Sequence, residues 1–219
     1  MHRLPLLLYN NPKPPTIFCP VESVAKVRNM LVGFQECAGS QKEYKLQGVV
    51  PGESYYLQLG RLGKQDAKVF IHNCVHSISA CGYGIWTQQK QLKPELKAKL
   101  QDLDGKAKGK FLQTQSDIYK QVWVPEFVYL CDTDVSVFKT DAVLSQYAVV
   151  MVECTFWETD MEPKAKETGH ICFTQLLPWI QKHPDQHFIL FHVSNRYSKE
   201  TIRKIFDKAN LQNCTLWKN

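Results

Sequence analysis

The stretch Val128-Tyr-Leu-Cys-Asp-Thr-Asp134 constrains the fold of this chain more than any other. It opens as an apolar, strand-prone run of the kind buried on both faces of a sheet, and it ends on an acid. Such a strand belongs at the centre of an α/β sheet. Asp132 then stands at its carboxyl tip, where open α/β sheets gather their chemistry. Two further apolar runs end on imidazoles. His187-Phe-Ile-Leu-Phe-His-Val-Ser194 delivers His192, and Val69-Phe-Ile-His-Asn-Cys-Val-His76 delivers His76. Two imidazoles and a carboxylate at three strand ends make the donor set of a zinc, manganese or iron site. His72, His183 and His187 fit surface or satisfied core positions.

The rest of the chain keeps an α/β rhythm. Strand patterns cover residues 16–19, 44–50, 54–59, 69–75, 82–87, 127–130, 148–154, 188–193 and 215–217. Helical spacing appears over 21–34, 135–144, 170–181 and 198–209, the last opened by Ser198 as N-cap with Glu200 in its first turn. Residues 158–169 read as a polar link. Residues 90–120 depart from the rhythm. Between Lys90 and Lys110 seven lysines stand against three acids, Glu95, Asp102 and Asp104, a surplus of four positive charges in a chain of net charge +6. That segment fits two short helices broken at Gly105, with little apolar surface to bury. The division expected is one domain over 1–219 with an inserted basic arm at 88–120.

No apolar run approaches the ~18 residues of a membrane helix. The apolar start, residues 4–8, is interrupted by Pro5 and lacks a small-residue cleavage site, so a soluble, unsecreted, cytoplasmic protein is expected. The eight cysteines form no C-x-x-C pair and several lie in apolar strands, the pattern of reduced, buried thiols.

Several segments together resemble ribonuclease Z, the tRNA 3′-processing endonuclease family of the metallo-β-lactamase superfamily. His76-Ser-Ile-Ser-Ala-Cys-Gly82-Tyr83 is similar to the family's H-x5-G-Y segment. Pro125-Glu-Phe-Val-Tyr-Leu-Cys-Asp132-Thr133 is similar to its P-E and D-T segment, with Cys131 in place of a glycine. Glu153-Cys-Thr155 resembles the family's H-E-A-T strand end. Gly169-His170 and His192-Val-Ser194-Asn-Arg196-Tyr197 follow in the family's order. The family's H-x-H-x-D-H motif, which supplies four of its seven metal ligands, does not occur. Arg3-Leu4-Pro5 stands where the family has Gly-Leu-Pro just after that motif. The resemblance therefore implies the α/β, four-layer αββα sandwich of metallo-β-lactamases, N-terminally truncated, with an apolar sheet edge left open to association.

The implied activity is metal-dependent endoribonuclease chemistry on precursor tRNA: two-metal hydrolysis of a phosphodiester with Zn2+ as cofactor. The family assignment makes His76, Asp132 and His192 metal ligands, and makes His170 the group near the leaving oxygen, oriented by Glu153. Ser194, Arg196 and Tyr197 would bind phosphate. Lys97, Lys99, Lys106, Lys108 and Lys110 would carry the RNA-binding arm of a homodimer, with no membrane partner. Residue by residue, plainer readings stand beside these. Asp132 can cap a helix, His170 can cap the helix it opens, and Arg196 can pair with an acid in a structural turn. The lysines can be a solvated face, and Cys131 can shift its loop or offer a thiolate. For the whole chain, the alternative is a non-catalytic relative that binds RNA or a ribonuclease Z subunit. A phosphodiesterase acting on a small ester is a third possibility.

Overall fold

The computed structural model describes residues 15–39, 43–57, 67–115 and 117–217. The readings at 3–5, at 4–8 and at the end of the 54–59 strand lie outside them. The elements are β1 (Thr16–Pro20), α1 (Val24–Cys37), β2 (Lys45–Val49), β3 (Ser54–Leu57), β4 (Ala67–Cys74) and β5 (Ala80–Leu92). Then come α2 (Pro94–Leu100), α3 (Gly105–Gln113), β6 (Tyr119–Tyr129), α4 (Val137–Thr140) and β7 (Val149–Glu153). The chain continues through α5 (Glu162–Thr168), α6 (Phe173–Lys182), β8 (His187–Phe191), α7 (Lys199–Ala209) and β9 (Cys214–Leu216).

Strands β3 to β9 form one seven-stranded sheet in sequence order, and β1 and β2 form a separate parallel pair. The β3–β6 half is antiparallel and the β6–β9 half is parallel. Two antiparallel steps separate β4 from β6, so β4, β6, β7 and β8 all end at the same edge of the sheet. That is why four distant segments can converge on one place.

Four layers stack in the order helix, small sheet, large sheet, helices. Alternation along β2 shows the first contact. Gly48 lies so close to α1 that a Cβ there would stand 3.0 Å from a Val24 methyl, whereas Val49 is buried against β4 and β5 with Val69, Ile71 and Cys81. The other face of the large sheet carries Val128, Leu130, Val150, Val152, Phe188 and Leu190, all fully buried. Phe173, Leu176 and Ile180 of α6 cover them, at the i, i+3, i+7 spacing that gives a helix one apolar face. The cover over the small sheet is thinner. Only Leu31 of α1 is buried, and Val21, Met30, Val32, Phe34 and Val50 are exposed. Among the described residues β1 and β2 pair only with each other.

Two expectations need correction. Residues 158–169 are not a plain link: Thr159–Met161 is a 3-10 turn and α5 follows, with Pro163 in its first turn and Gly169 closing it at φ +70°. Ala165 is its buried residue, too little apolar periodicity to announce a helix, although Pro and Gly marked both ends. The lysine-rich segment does bury apolar surface, through Leu96 and Leu100 one turn apart on α2. Its two helices are separated by 101–104, just before the expected Gly105, which instead opens α3, with Asp104 capping it by accepting from Ala107 N–H at 2.8 Å. The eight cysteines are all free, six of them buried. No helix among the described residues is long and apolar enough to cross a membrane.

Candidate metal centre

At the shared strand edge β4 delivers His76, β6 delivers Asp132, β7 delivers Glu153 and Thr155, and β8 delivers His192. His170 arrives from the turn between α5 and α6. Nitrogen and carboxylate atoms of His76, Asp132 and His170 lie within 4.8 Å of one another, and so do those of Glu153, His170 and His192. His76 and Asp132 thus fall in one set and His192 in the other, and His170 belongs to both. Its ring centre is 4.9 Å from His76 and 5.4 Å from His192. His192 Nδ1 lies 3.5 Å from Asp132 Oδ1.

Glu153 organises the cluster from beneath. Its carboxylate is fully buried and accepts from the backbone N–H groups of Thr155 at 2.9 Å and Ile171 at 3.1 Å. The Thr155 hydroxyl donates to it at 2.8 Å, and His170 Nδ1 meets it at 2.8 Å. A buried carboxylate survives only with such a set of donors. The Glu153 hydrogen bond raises the pKa of His170 against the opposing effect of burial, with help from the charges of Glu153 and Asp132.

The proton inventory follows. Thr155 Oγ has given its hydrogen to Glu153, so at 3.0 Å it accepts from His192 Nδ1. The Gly169 carbonyl accepts from His76 Nδ1 at 2.9 Å. All three imidazoles thus have Nδ1 engaged by an acceptor of the protein, which presents Nε2 as the free lone pair. That is how metal-ligating histidines are held. A carboxylate and three imidazoles so oriented fit a borderline divalent ion such as zinc.

Local backbone serves the same end. His192 sits at φ +60°, in the left-handed region that few non-glycine residues enter. The turn is tied down by Ser194 N–H donating to the Thr155 carbonyl at 3.1 Å. Gly169, also left-handed, has no room for a side chain: a Cβ would lie 3.0 Å from His76 Nδ1. Thr133 is buried, and its hydroxyl accepts from Val75 N–H at 2.9 Å, locking the β4 end to the β6 end. Sequence reasoning placed Thr133 and Thr155 in register and gave neither a task. Their hydroxyl hydrogen bonds leave no pattern in a sequence.

The other sequence candidates are spread wider. Arg196 makes no ion pair among the described residues. Its guanidinium stacks 5.0 Å from the Phe156 ring centre, and Nε reaches Ser194 Oγ at 3.2 Å. The Tyr197 hydroxyl is taken by Trp157 N–H at 3.2 Å. Beside this loop a pocket of about 610 Å³ opens between α7 and β9, lined by Ser194, Tyr197, Lys199, Arg203 and Trp217. Burial first, then the Asp132 charge, pushes the Cys131 thiol up. Lys97, Lys99, Lys106 and Lys110 are exposed and Lys108 is half-buried. They ride on α2 and α3 at the far end of β5. Thirteen residues of β5 put them roughly 40 Å from the strand edge that carries the cluster.

No family model matches the chain. It is 25% identical over 201 residues to tRNase Z TRZ1 of Arabidopsis thaliana, covering 90% of this chain and 67% of that protein. The crystal structure of human tRNase Z, short form, matches with a TM-score of 0.53 and 16% identity over 99% of this chain and 71% of its own. The metallo-β-lactamase fold protein YhfI of Bacillus subtilis matches with a TM-score of 0.53 and 12% identity over 93% of this chain. The chain spans 62% of that structure's length. The fold is that of the metallo-β-lactamases, and the resemblance to ribonuclease Z in sequence is borne out.

Proposed function

We propose that this chain is a ribonuclease Z-like, metal-dependent phosphodiesterase that acts on the 3′ side of precursor tRNA. The observation that carries this reading is the strand-edge cluster, in which His76 and His170 close on Asp132, His192 stands beside it, and each imidazole has Nδ1 engaged by the protein. His76, Asp132 and His170 would hold one ion, and His192 with Asp132 would face a second. Zn2+ suits this donor set best. A divalent ion bound there supplies Lewis acidity to a phosphoryl oxygen and lowers the pKa of a water.

The chain's own groups do the remaining work. Glu153 accepts from His170 Nδ1–H, which fixes the ring and raises the basicity of the nitrogen that would face an ion. Thr155 holds His192 in one tautomer. Arg196, propped on Phe156, presents its free N–H groups to a phosphate, and Ser194 adds a hydroxyl. Tyr197 accepts from Trp157 N–H, which fixes the loop, and keeps its own hydroxyl hydrogen to donate to a phosphate. The lysines of α2 and α3 lie too far from their own cluster to share a small substrate with it. They suit a long polyanion, bound across a homodimer so that the arm of one copy serves the cluster of the other.

Metal content per purified chain after dialysis, together with cleavage of a precursor tRNA bearing a 3′ trailer, tests this. Bound zinc that is lost in Asp132→Ala, and cleavage lost with it, is the expected result. A chain that binds the tRNA but neither metal nor cleaves sinks the enzyme reading and leaves the non-catalytic, RNA- or subunit-binding relative.

A further inference from the structure

The large sheet presents a second surface that the strand-edge cluster does not use. In the β3–β6 half, ladder partners put Tyr56 opposite Lys68 and Lys68 opposite Trp86. Along the ribbon, Gln88 faces Trp123, Lys90 faces Gln121 and Leu92 faces Tyr119. Residues opposite one another, and every second residue along a strand, share a face. Tyr56, Lys68, Trp86, Trp123, Lys90 and Tyr119 therefore stand on one side. It is the side the helices cover further along the sheet, continued here beyond them. The Lys68 ammonium lies 4.8 Å from the Trp86 ring centre and 5.0 Å from that of Trp123. The Tyr56 and Trp123 rings are 5.8 Å apart. Tyr56 is 59% and Tyr119 50% exposed, unusual for such large rings.

Charge distinguishes this face from its reverse. The strand positions named carry two lysines and no carboxylate. The nearby acid, Glu126, is bonded by Thr87 and Gln89, whose positions on β5 lie on the opposite face. The ribbon runs directly into α2 and α3 with their lysines.

We infer that this face is a stacking platform for unpaired RNA bases, with Tyr56, Trp123 and Tyr119 as the stacking rings and Lys68 and Lys90 as phosphate contacts. A sheet face with exposed rings between ammonium groups takes single-stranded or looped RNA, because every unpaired base offers a π-face and a regular duplex offers none along its length. Lys68, clamped between two indoles, fixes Trp86 and Trp123 in place before any base arrives. The platform shares the RNA partner of the proposed function. It is tested without metal and without cleavage, so the two readings fail separately.

The test is equilibrium binding of the full chain, in a metal chelator, to a fluorescein-labelled single-stranded RNA of about 15 nucleotides and to a blunt duplex of the same length. Tyr56→Ala and Tyr119→Ala, both at exposed positions, are expected to weaken single-strand binding about 5- to 100-fold each and to leave duplex binding unchanged. Tyr56→Phe keeps the wild-type affinity. Lys106→Ala with Lys110→Ala weakens both ligands alike, since those contacts read charge only. Equal affinity of wild type and Tyr56→Ala for the single strand overturns the platform, as does a parallel loss on single strand and duplex. A change in oligomeric state with RNA affinity untouched also overturns it, and assigns the face to a contact between copies.

Discussion

Two histidine networks in this chain use the same parts and end differently. In the core, His72 is 1% exposed. Its Nδ1 meets Asp141 at 2.6 Å and its Nε2 meets the Tyr147 hydroxyl at 2.7 Å. Trp86 Nε1–H donates to the same hydroxyl at 2.7 Å. One arrangement satisfies every group: indole to phenol oxygen, phenol O–H to Nε2, Nδ1–H to carboxylate. Nothing is left for a ligand. Gly84 completes the closure, because a Cβ there would lie 1.9 Å from the Tyr147 oxygen. At the strand edge the imidazoles are also pinned through Nδ1 to a carbonyl, a carboxylate and a hydroxyl, but Nε2 meets no protein donor among the described residues. The second nitrogen separates a structural histidine from a candidate ligand.

The largest blow to the open network is Glu153→Ala. It strips a buried acceptor from three backbone N–H groups, a hydroxyl and His170 at once. The expected cost is about 3–5 kcal/mol of stability, seen as a lowered urea midpoint. Zinc affinity falls as well, by about 10- to 100-fold, because His170 loses its orientation. A folded Glu153→Ala chain with unchanged zinc affinity would break the idea that this carboxylate sets the cluster.

Asp141→Asn probes the closed network, with an expected loss of about 1–3 kcal/mol at neutral pH and no change in zinc affinity. Burial raises the Asp141 pKa, but the hydrogen bonds from His72 and the Val143 N–H outweigh it, and the net shift is downward. A carboxylate depressed on folding contributes stability above its unfolded pKa and loses it as pH falls through the folded one. The gap between wild type and Asp141→Asn is therefore full at neutral pH and closes below about pH 4. A gap that widens on acidification contradicts the pairing.

Much of the scaffold was legible because strands buried on both faces leave continuous apolar runs. The ends of β4, β6 and β8 announced His76, Asp132 and His192, and Ser198 announced α7. What the sequence hid was lateral. His170 follows a helix with one buried residue, so nothing in periodicity places it between His76 and His192. The shared orientation of the imidazoles depends on the Gly169 carbonyl and the Thr155 hydroxyl, and both are set by tertiary contact. The core role of His72 needed Tyr147 and Asp141, about seventy positions away in sequence.

Gly169→Ala tests whether the carbonyl beneath His76 must be aimed. A non-glycine residue in left-handed backbone costs about 1–2 kcal/mol. The new methyl would also stand 3.0 Å from His76 Nδ1, so the imidazole must move. Zinc affinity is expected to fall several-fold more than the same substitution at Gly52, which is left-handed at φ +91° with nothing near its Cβ. Equal effects at the two glycines would reduce Gly169 to a helix stop.

The smallest expected effect is the most informative about the open network. Thr155→Val removes one hydroxyl and keeps the side-chain shape. Glu153 then loses a donor and His192 loses the acceptor of its Nδ1–H. The stability cost is about 1 kcal/mol, since Glu153 retains its backbone donors. His192 is 46% exposed at its side chain, so water can replace the lost acceptor. Water does not, however, fix which nitrogen carries the proton. Zinc affinity should therefore fall about 10-fold while the unfolding midpoint barely moves, and Thr155→Ser should restore it. The same valine reasoning applied to Thr133 gives the opposite split. Its hydroxyl ties the β4 end to the β6 end through Val75 N–H and touches no imidazole. Thr133→Val should lower stability and leave the zinc affinity per folded chain close to wild type. If both variants behave alike, tautomer control by Thr155 is wrong, and the two threonines are equivalent packing ties.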